Sequence, residues 1–263
     1  MTGSRPAGLV TLVGGVGELY QRDLDVGRLV LTDVADLAGG GVYVEDLSYG
    51  AIPFTHRLME LRPDVLVLVG AVRRGRRPGS VARRVVTSVE RTAQELQGSV
   101  RDAYVGYVDL DLAVEVAYAL GPLPRRTVLV EVEPSETGPG DELTPVVRAA
   151  VPVAAASLRD EVALAPLFDL HATIRERRAG APAGDGAIVH ALDALVAALD
   201  DVDATSGPVV DAGWGRVYAA RDQLQRAVAM ASPDGAMEHT DWGLLWAATE
   251  ELDRRRGLLL RDV

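Results

Sequence analysis

Acidic side chains gather where a glycine-rich turn follows the first apolar stretch of the chain. Leu9 to Val13 reads as a buried strand, and it runs into Gly14-Gly15-Val16-Gly17 and then Glu18, Asp23 and Asp25. In nucleotide-binding folds such glycines let a helix N-terminus approach a pyrophosphate. Three acids in the turn would repel one, so a metal or a cationic partner suits it better than a dinucleotide. Asp46, at the end of a second short strand, and Asp109 and Asp111 further on add oxygen donors. Two readings stand side by side: a hard-metal site built from Asp25, Asp46, Asp109 and Asp111, or loop aspartates that cap helices and turns. Asp23, Asp25 and Asp46 are therefore the catalytic candidates. Ser48 and Tyr49 lack the strained elbow and histidine partner that serine catalysis demands. His56, alone on a helical stretch, reads as a surface or packing residue.

A second cluster is cationic. Arg73, Arg74, Arg76 and Arg77 follow the third strand, at the carboxyl edge where open parallel sheets place ligands. Arg73, Arg74 and Arg77, together with Glu18, are the binding candidates. Arginines so placed clamp a carboxylate such as a protein C-terminus, or else form a solvated turn.

Composition narrows the chemistry. With no cysteine, disulfides, thiolate nucleophiles and sulfur-ligated metals are excluded. The net charge of -11 argues against nucleic acid or an anionic membrane as partner. No apolar run approaches the roughly 20 residues of a membrane span, and the first dozen residues do not resemble a signal sequence, so a cytoplasmic location is expected.

The elements that must position these residues alternate. Helical spacing over 25–37, a strand at Val42–Asp46, a helix at Ala51–Leu61 and a buried strand at 64–69 imply right-handed crossovers and a parallel sheet. An edge strand is predicted at 81–86, a helix at 112–120, a strand at 127–132, and a helix starting at Thr144-Pro145 and running past Leu158. The segment 87–106 is polar and carries no clear period. The expected fold is α/β, a three-layer sandwich with a mostly parallel sheet, plus a small C-terminal helical bundle. Its domains are 1–176, a linker at 177–186 rich in alanine, glycine and proline, and a helical domain at 187–263 with stripes around Leu195, Trp214 and Trp242.

Four strings in this order resemble the [NiFe]-hydrogenase maturation endopeptidases, over about residues 9–160. They are Gly15-Val16-Gly17 through Asp23 to Gly27; Val42 to Leu58 with Asp46; Leu66 to Gly75 followed by Pro78-Gly79-Ser80; and Val130 to Pro134 with Leu143 to Val147. The resemblance implies a sheet enzyme that trims the C-terminus of a hydrogenase large subunit, and that binds nickel or a surrogate divalent metal through an acid, an aspartate and a histidine. Aligned on those strings, the three ligand positions hold Leu24, Gly70 and Val108, none with a donor side chain. The implied function is a role in large-subunit maturation with a lost or altered metal-dependent peptidase site and no cofactor. The alternative is a non-catalytic adaptor. Its partners would be the large-subunit precursor or an active maturation protease.

Overall fold

The computed structural model describes residues 8–103, 109–180, 186–209, 212–230, 247 and 249–254. The chain divides into two compact units, Met1–Val162 and Ala163–Val263.

The first unit is built on a five-stranded sheet. Strands β1 (Thr11–Gly15), β2 (Val42–Asp46), β3 (Val65–Ala71), β4 (Val81–Val85) and β5 (Arg126–Val132) are arranged in the order β2-β1-β3-β5-β4. All pairs are parallel except β4 with β5. All seven residues of β3 are buried, as the unbroken apolar run Val65 to Val69 requires of a strand covered on both faces. On one face Leu12, Leu66, Leu68 and Leu129 pack with Phe54 and Leu58 of α2 (Ala51–Leu61) and Leu110 and Val114 of α4 (Leu110–Leu120). On the other face α1 (Val26–Asp33) lies so close to the sheet that a Cβ on Gly27 would sit 2.1 Å from the Val16 carbonyl and 2.5 Å from that of Val69. Only glycine permits that approach, which brings the first turn of α1 to the carboxyl edge of the sheet.

Several expectations are corrected. The helix expected over 25–37 ends at Asp33 and is followed by a separate 3-10 turn at Ala35–Leu37. The first strand includes Gly14 and Gly15. The polar segment 87–106 contains α3 (Ala93–Ala103), opened by Thr92, whose hydroxyl accepts from the Glu95 backbone while Glu95 reaches back to the Thr92 N–H. Asp109 caps α4, accepting the Leu112 N–H at 2.8 Å. Thr144-Pro145 opens only the single turn α5 (Pro145–Arg148), and the long helix is α6 (Val151–Gly180).

Near its start α6 delivers Glu161, buried and bonded by Arg83 of β4 and Arg126 of β5. Further along, Pro166 has no N–H to offer the carbonyl of Val162, the residue after which the units divide. The sequence reading places the boundary at 177–186; α6 continues through the first four of those residues, and 181–185 lie outside the described residues.

The second unit has its own core. Leu164, Leu167, Phe168 and Ile174 of α6 pack with Leu192, Leu195 and Leu199 of α7 (Ala187–Asp203) and with Trp214, Val217 and Leu224 of α8 (Trp214–Met230). Trp214 donates its indole N–H to the Val209 carbonyl at 2.8 Å. Of the expected third stripe, Leu252 joins this core, while Trp242 and Leu245 lie outside the described residues.

Candidate functional site

The carboxyl edge of the sheet collects the ends of β1, β2, β3 and β5, and with them most of the residues singled out in the sequence. They form two separate polar clusters.

The first surrounds the turn after β1. Asp23 is fully buried, and its carboxylate accepts the backbone N–H groups of Ser135 and Glu136 at 2.9 Å each and that of Thr144 at 2.7 Å. The Thr144 hydroxyl donates as well, at 2.9 Å. A carboxylate so surrounded fastens two loops and has no free lone pair facing solvent; its geometry is that of a structural clamp. The same turn contains two non-glycine residues in the left-handed region, Tyr20 (φ 62°) and Arg22 (φ 49°). It tolerates them because it is tied to the loop after β5: the Arg22 N–H donates to the Gly140 carbonyl at 3.0 Å and the Gly140 N–H donates to Tyr20 at 2.9 Å. Leu19 and Tyr20 project from it, well exposed. Glu18 lies half-buried at the base of the turn.

Asp25 and Asp46 are brought together, but by a side chain that the sequence reading overlooked. Arg28, in the first turn of α1, donates Nε to Asp25 Oδ1 at 2.6 Å and Nη2 to Asp25 Oδ2 at 3.1 Å, and reaches Asp46 Oδ2 with Nη1 at 3.4 Å. The Asp25 bonds, and then its charge and that of Asp46, raise the guanidinium pKa further above its ordinary value, so the cation is permanent. The spacing Asp25 to Arg28, one helical turn, was the available signal. Asp46 Oδ1 also accepts the Ser48 N–H, and the Ser48 hydroxyl accepts the N–H of Gly17, both at 3.0 Å. Ser48 is thus a turn residue, and His56 lies exposed on α2.

The second cluster lies on the α4 face. Glu131, the register partner of Gly70 on β3 and Ala82 on β4, is buried and accepts from Arg74, Arg84 and Arg76. Burial pushes its carboxyl up, but the hydrogen bonds from Arg74, Arg84 and Arg76 outweigh that and hold it at about 2. Glu133 accepts the backbone N–H groups of Arg74 at 2.8 Å and Gly75 at 3.1 Å, which fixes the arginine turn against β5. Asp111 receives Arg74 and Arg84, each at 2.8 Å. Arg74 and Arg76 are therefore committed to internal carboxylates. Arg73 reaches Thr137 at 2.5 Å, and Arg77 stands exposed with no ion pair to a described residue. Arg84 was missed in the sequence because it lies on an edge strand, ten residues beyond Arg74, with which it shares Glu131 and Asp111.

A metal of the kind the resemblance implies does not fit these residues. Leu24 has no donor, and Val108 lies outside the described residues. Gly70 is not a vacancy awaiting a carboxylate: a Cβ there would fall 2.8 Å from the Val16 carbonyl and 3.1 Å from Leu110 Cγ. Asp25 and Asp46 already share a guanidinium, and among the described residues no three acids or histidines are grouped to hold an ion.

Beside the second cluster is an open cleft of about 350 Å³, with Arg74, Arg84, Arg91, Asp111 and Glu115 on its walls and Val86, Val89 and Val114 as its apolar surface.

No family model and no curated protein matches the chain. Among solved structures it is similar to the hydrogenase maturating endopeptidase HybD from Escherichia coli, at 20% identity, TM-score 0.46, covering 59% of this chain and 92% of that one. It is likewise similar to the hydrogenase 2 maturation peptidase of a Thaumarchaeota archaeon, at 20% identity, TM-score 0.41, with 58% and 97% covered. A third similar structure is the [NiFe] hydrogenase maturation protease HycI from Thermococcus kodakarensis, at 18% identity, TM-score 0.41, with 56% and 87% covered.

Proposed function

We propose that this protein acts in the cytoplasm in [NiFe]-hydrogenase large-subunit maturation, as a maturation-protease-like protein whose metal-dependent peptidase site is lost or altered. The four strings that resemble the family fall on β1 and its turn, β2 with α2, β3 with the arginine turn, and β5 with the loop to α5. The observation that carries the altered site is Arg28, a fixed cation held between Asp25 and Asp46 at the edge where a metal would need free carboxylates. A peptidase needs an activated water or a nucleophile, and neither cluster supplies one: every buried carboxylate in them is already bonded to arginine or to backbone N–H groups.

The adaptor reading is favoured by Arg73 and Arg77, which stand exposed on a turn whose backbone Glu133 fixes. The partner is then the large-subunit precursor or an active maturation protease. The test is affinity capture from cells expressing a hydrogenase operon. Reversing charge at Arg73 and Arg77 is expected to weaken the complex while leaving stability unchanged. Recovery of neither partner at low salt, with normal hydrogenase processing after deletion of the gene, would remove the protein from this pathway.

A further inference from the structure

We infer that residues 18–22 form a strap, latched under backbone strain onto the loop after β5, which opens about the buried Asp23 clamp as a unit of its own and so releases Thr137 and Arg73. The strap is a property of the chain alone. What the release of Arg73 serves rests on the partner contact proposed above.

Strain is concentrated in this one turn. Among the described residues only Tyr20, Arg22 and Arg62 combine a side chain with a positive φ. Arg62 ends α2 in the ordinary left-handed conformation of a helix terminus. Arg22 is different. At φ 49° and ψ −121°, with the Leu24 N–H donating to the Gln21 carbonyl at 3.1 Å, it stands at the first central position of a type II′ turn, a place that glycine dominates. Tyr20, two residues earlier at φ 62°, adds a second strained residue. Relaxing either one to negative φ favours the open turn by roughly tenfold or more.

What holds the strap shut is open to water. The Arg22 N–H donates to Gly140 at 3.0 Å and the Gly140 N–H to Tyr20 at 2.9 Å, while the Arg22 side chain reaches the Pro139 carbonyl at 3.3 Å and Glu136 at 3.6 Å. The Arg22 and Glu136 side chains are 42% and 63% exposed, and water replaces contacts of that kind at little cost. No apolar burial assists, because Leu19 and Tyr20 stay well exposed in the closed turn. Directly after the strap the situation reverses: Asp23 is fully buried and grips the backbone N–H groups of Ser135, Glu136 and Thr144. A buried anchor beside a strained, solvated latch is the arrangement of a local opening unit. The loop it closes on carries Thr137, paired with Arg22 in an isolated antiparallel bridge and bonded by Arg73 Nη2 at 2.5 Å. Once the strap lifts, Thr137 loses the bridge that fixes it, and Arg73 loses its fixed acceptor.

The test is native-state amide exchange of the full chain, followed by NMR. The Arg22 and Gly140 amides are expected to exchange about a hundredfold faster than that of Thr144, through an opening that low urea does not change. Arg22→Gly and Arg22→Ala both remove the side-chain contacts, but only glycine relieves the backbone. Gly140 should therefore exchange about tenfold more slowly in the glycine variant than in the alanine variant. The Arg73 Nε–H should also be more ordered in the glycine variant by nitrogen relaxation. Three results would each overturn the inference: Arg22 and Gly140 exchanging at the rate of Thr144, equal exchange of Gly140 in the two variants, or equal order of Arg73 in them. If the differences hold while no hydrogenase partner is captured, the maturation role fails and the strap stands.

Discussion

Asp23 and Thr144, 121 positions apart, are joined by a carboxylate that accepts both the backbone N–H of Thr144 at 2.7 Å and its hydroxyl at 2.9 Å. This contact locks the turn after β1 to the start of α5 and closes the loops over the carboxyl edge of the sheet. Asp23→Ala would strand three backbone donors in a buried position. A loss of about 3 kcal/mol is expected, read as a lower urea midpoint with unchanged slope. A variant as stable as the parent would show that water replaces the carboxylate without cost.

Glu131 links stability to acid. Its carboxyl is held at about 2 in the folded state against an ordinary 4.5, so the folded chain binds fewer protons than the unfolded one across that window. The stabilisation is complete above pH 4.5 and is lost as pH falls from there towards 2, a span of roughly 3 kcal/mol. Denaturation profiles between pH 6 and 2 should show this slope. In Glu131→Gln the profile should be flatter, on a protein already less stable at neutral pH because Arg74, Arg76 and Arg84 have lost their shared anion.

Restoring an aspartate at position 70 is not expected to rebuild a metal site. The added side chain meets the Val16 carbonyl and Leu110 in a packed interior, and Gly70→Asp should lower stability by about 2 kcal/mol or more. Calorimetry should detect no nickel binding, either in this variant or in the parent. A single micromolar site in the parent, abolished by Asp25→Ala or Asp46→Ala, would revive the carboxylate site and with it an enzyme.

Arg28 is the complementary test. Its removal leaves Asp25 and Asp46 without their shared cation, so Arg28→Ala should gain weak calcium or magnesium binding that the parent lacks, on the scale of millimolar dissociation constants. Calorimetric titration of the two proteins side by side checks this. Equal heats would mean that the two carboxylates do not converge once the guanidinium is gone.

Truncation separates the two ways of dividing the chain. Leu164, Leu167, Phe168 and Ile174 belong to the core of the second unit, so a chain ending at residue 186 would bare an apolar helical face. It should aggregate or bind hydrophobic dye, whereas the full chain remains monodisperse. A soluble, monomeric product would place the working boundary at 177–186 instead.

Local chemistry made much of this protein legible before folding. The unbroken apolar run Val65 to Val69 could only be a strand covered on both faces, and the helix start at Thr144-Pro145 and the edge position of 81–86 followed from side-chain period and proline geometry. The acidic first turn and the arginine turn were both recognised as polar features at the carboxyl edge. What the sequence could not carry was pairing over distance. The partners of Asp23 lie 112 to 121 residues away, and Arg84 joins Arg74 on Glu131 only because β4 turns back antiparallel beside β5. Helix α6 was underread because its two parts are held differently, Glu161 by Arg83 and Arg126 and then Leu164, Leu167, Phe168 and Ile174 in the core of the second unit, so no single 3.6-residue stripe runs its length. The burial of Gly70 against Leu110, and the guanidinium between Asp25 and Asp46, were likewise decided by tertiary packing. A residue's type states which bonds it can make, and only the fold determines which partner is near enough to make them.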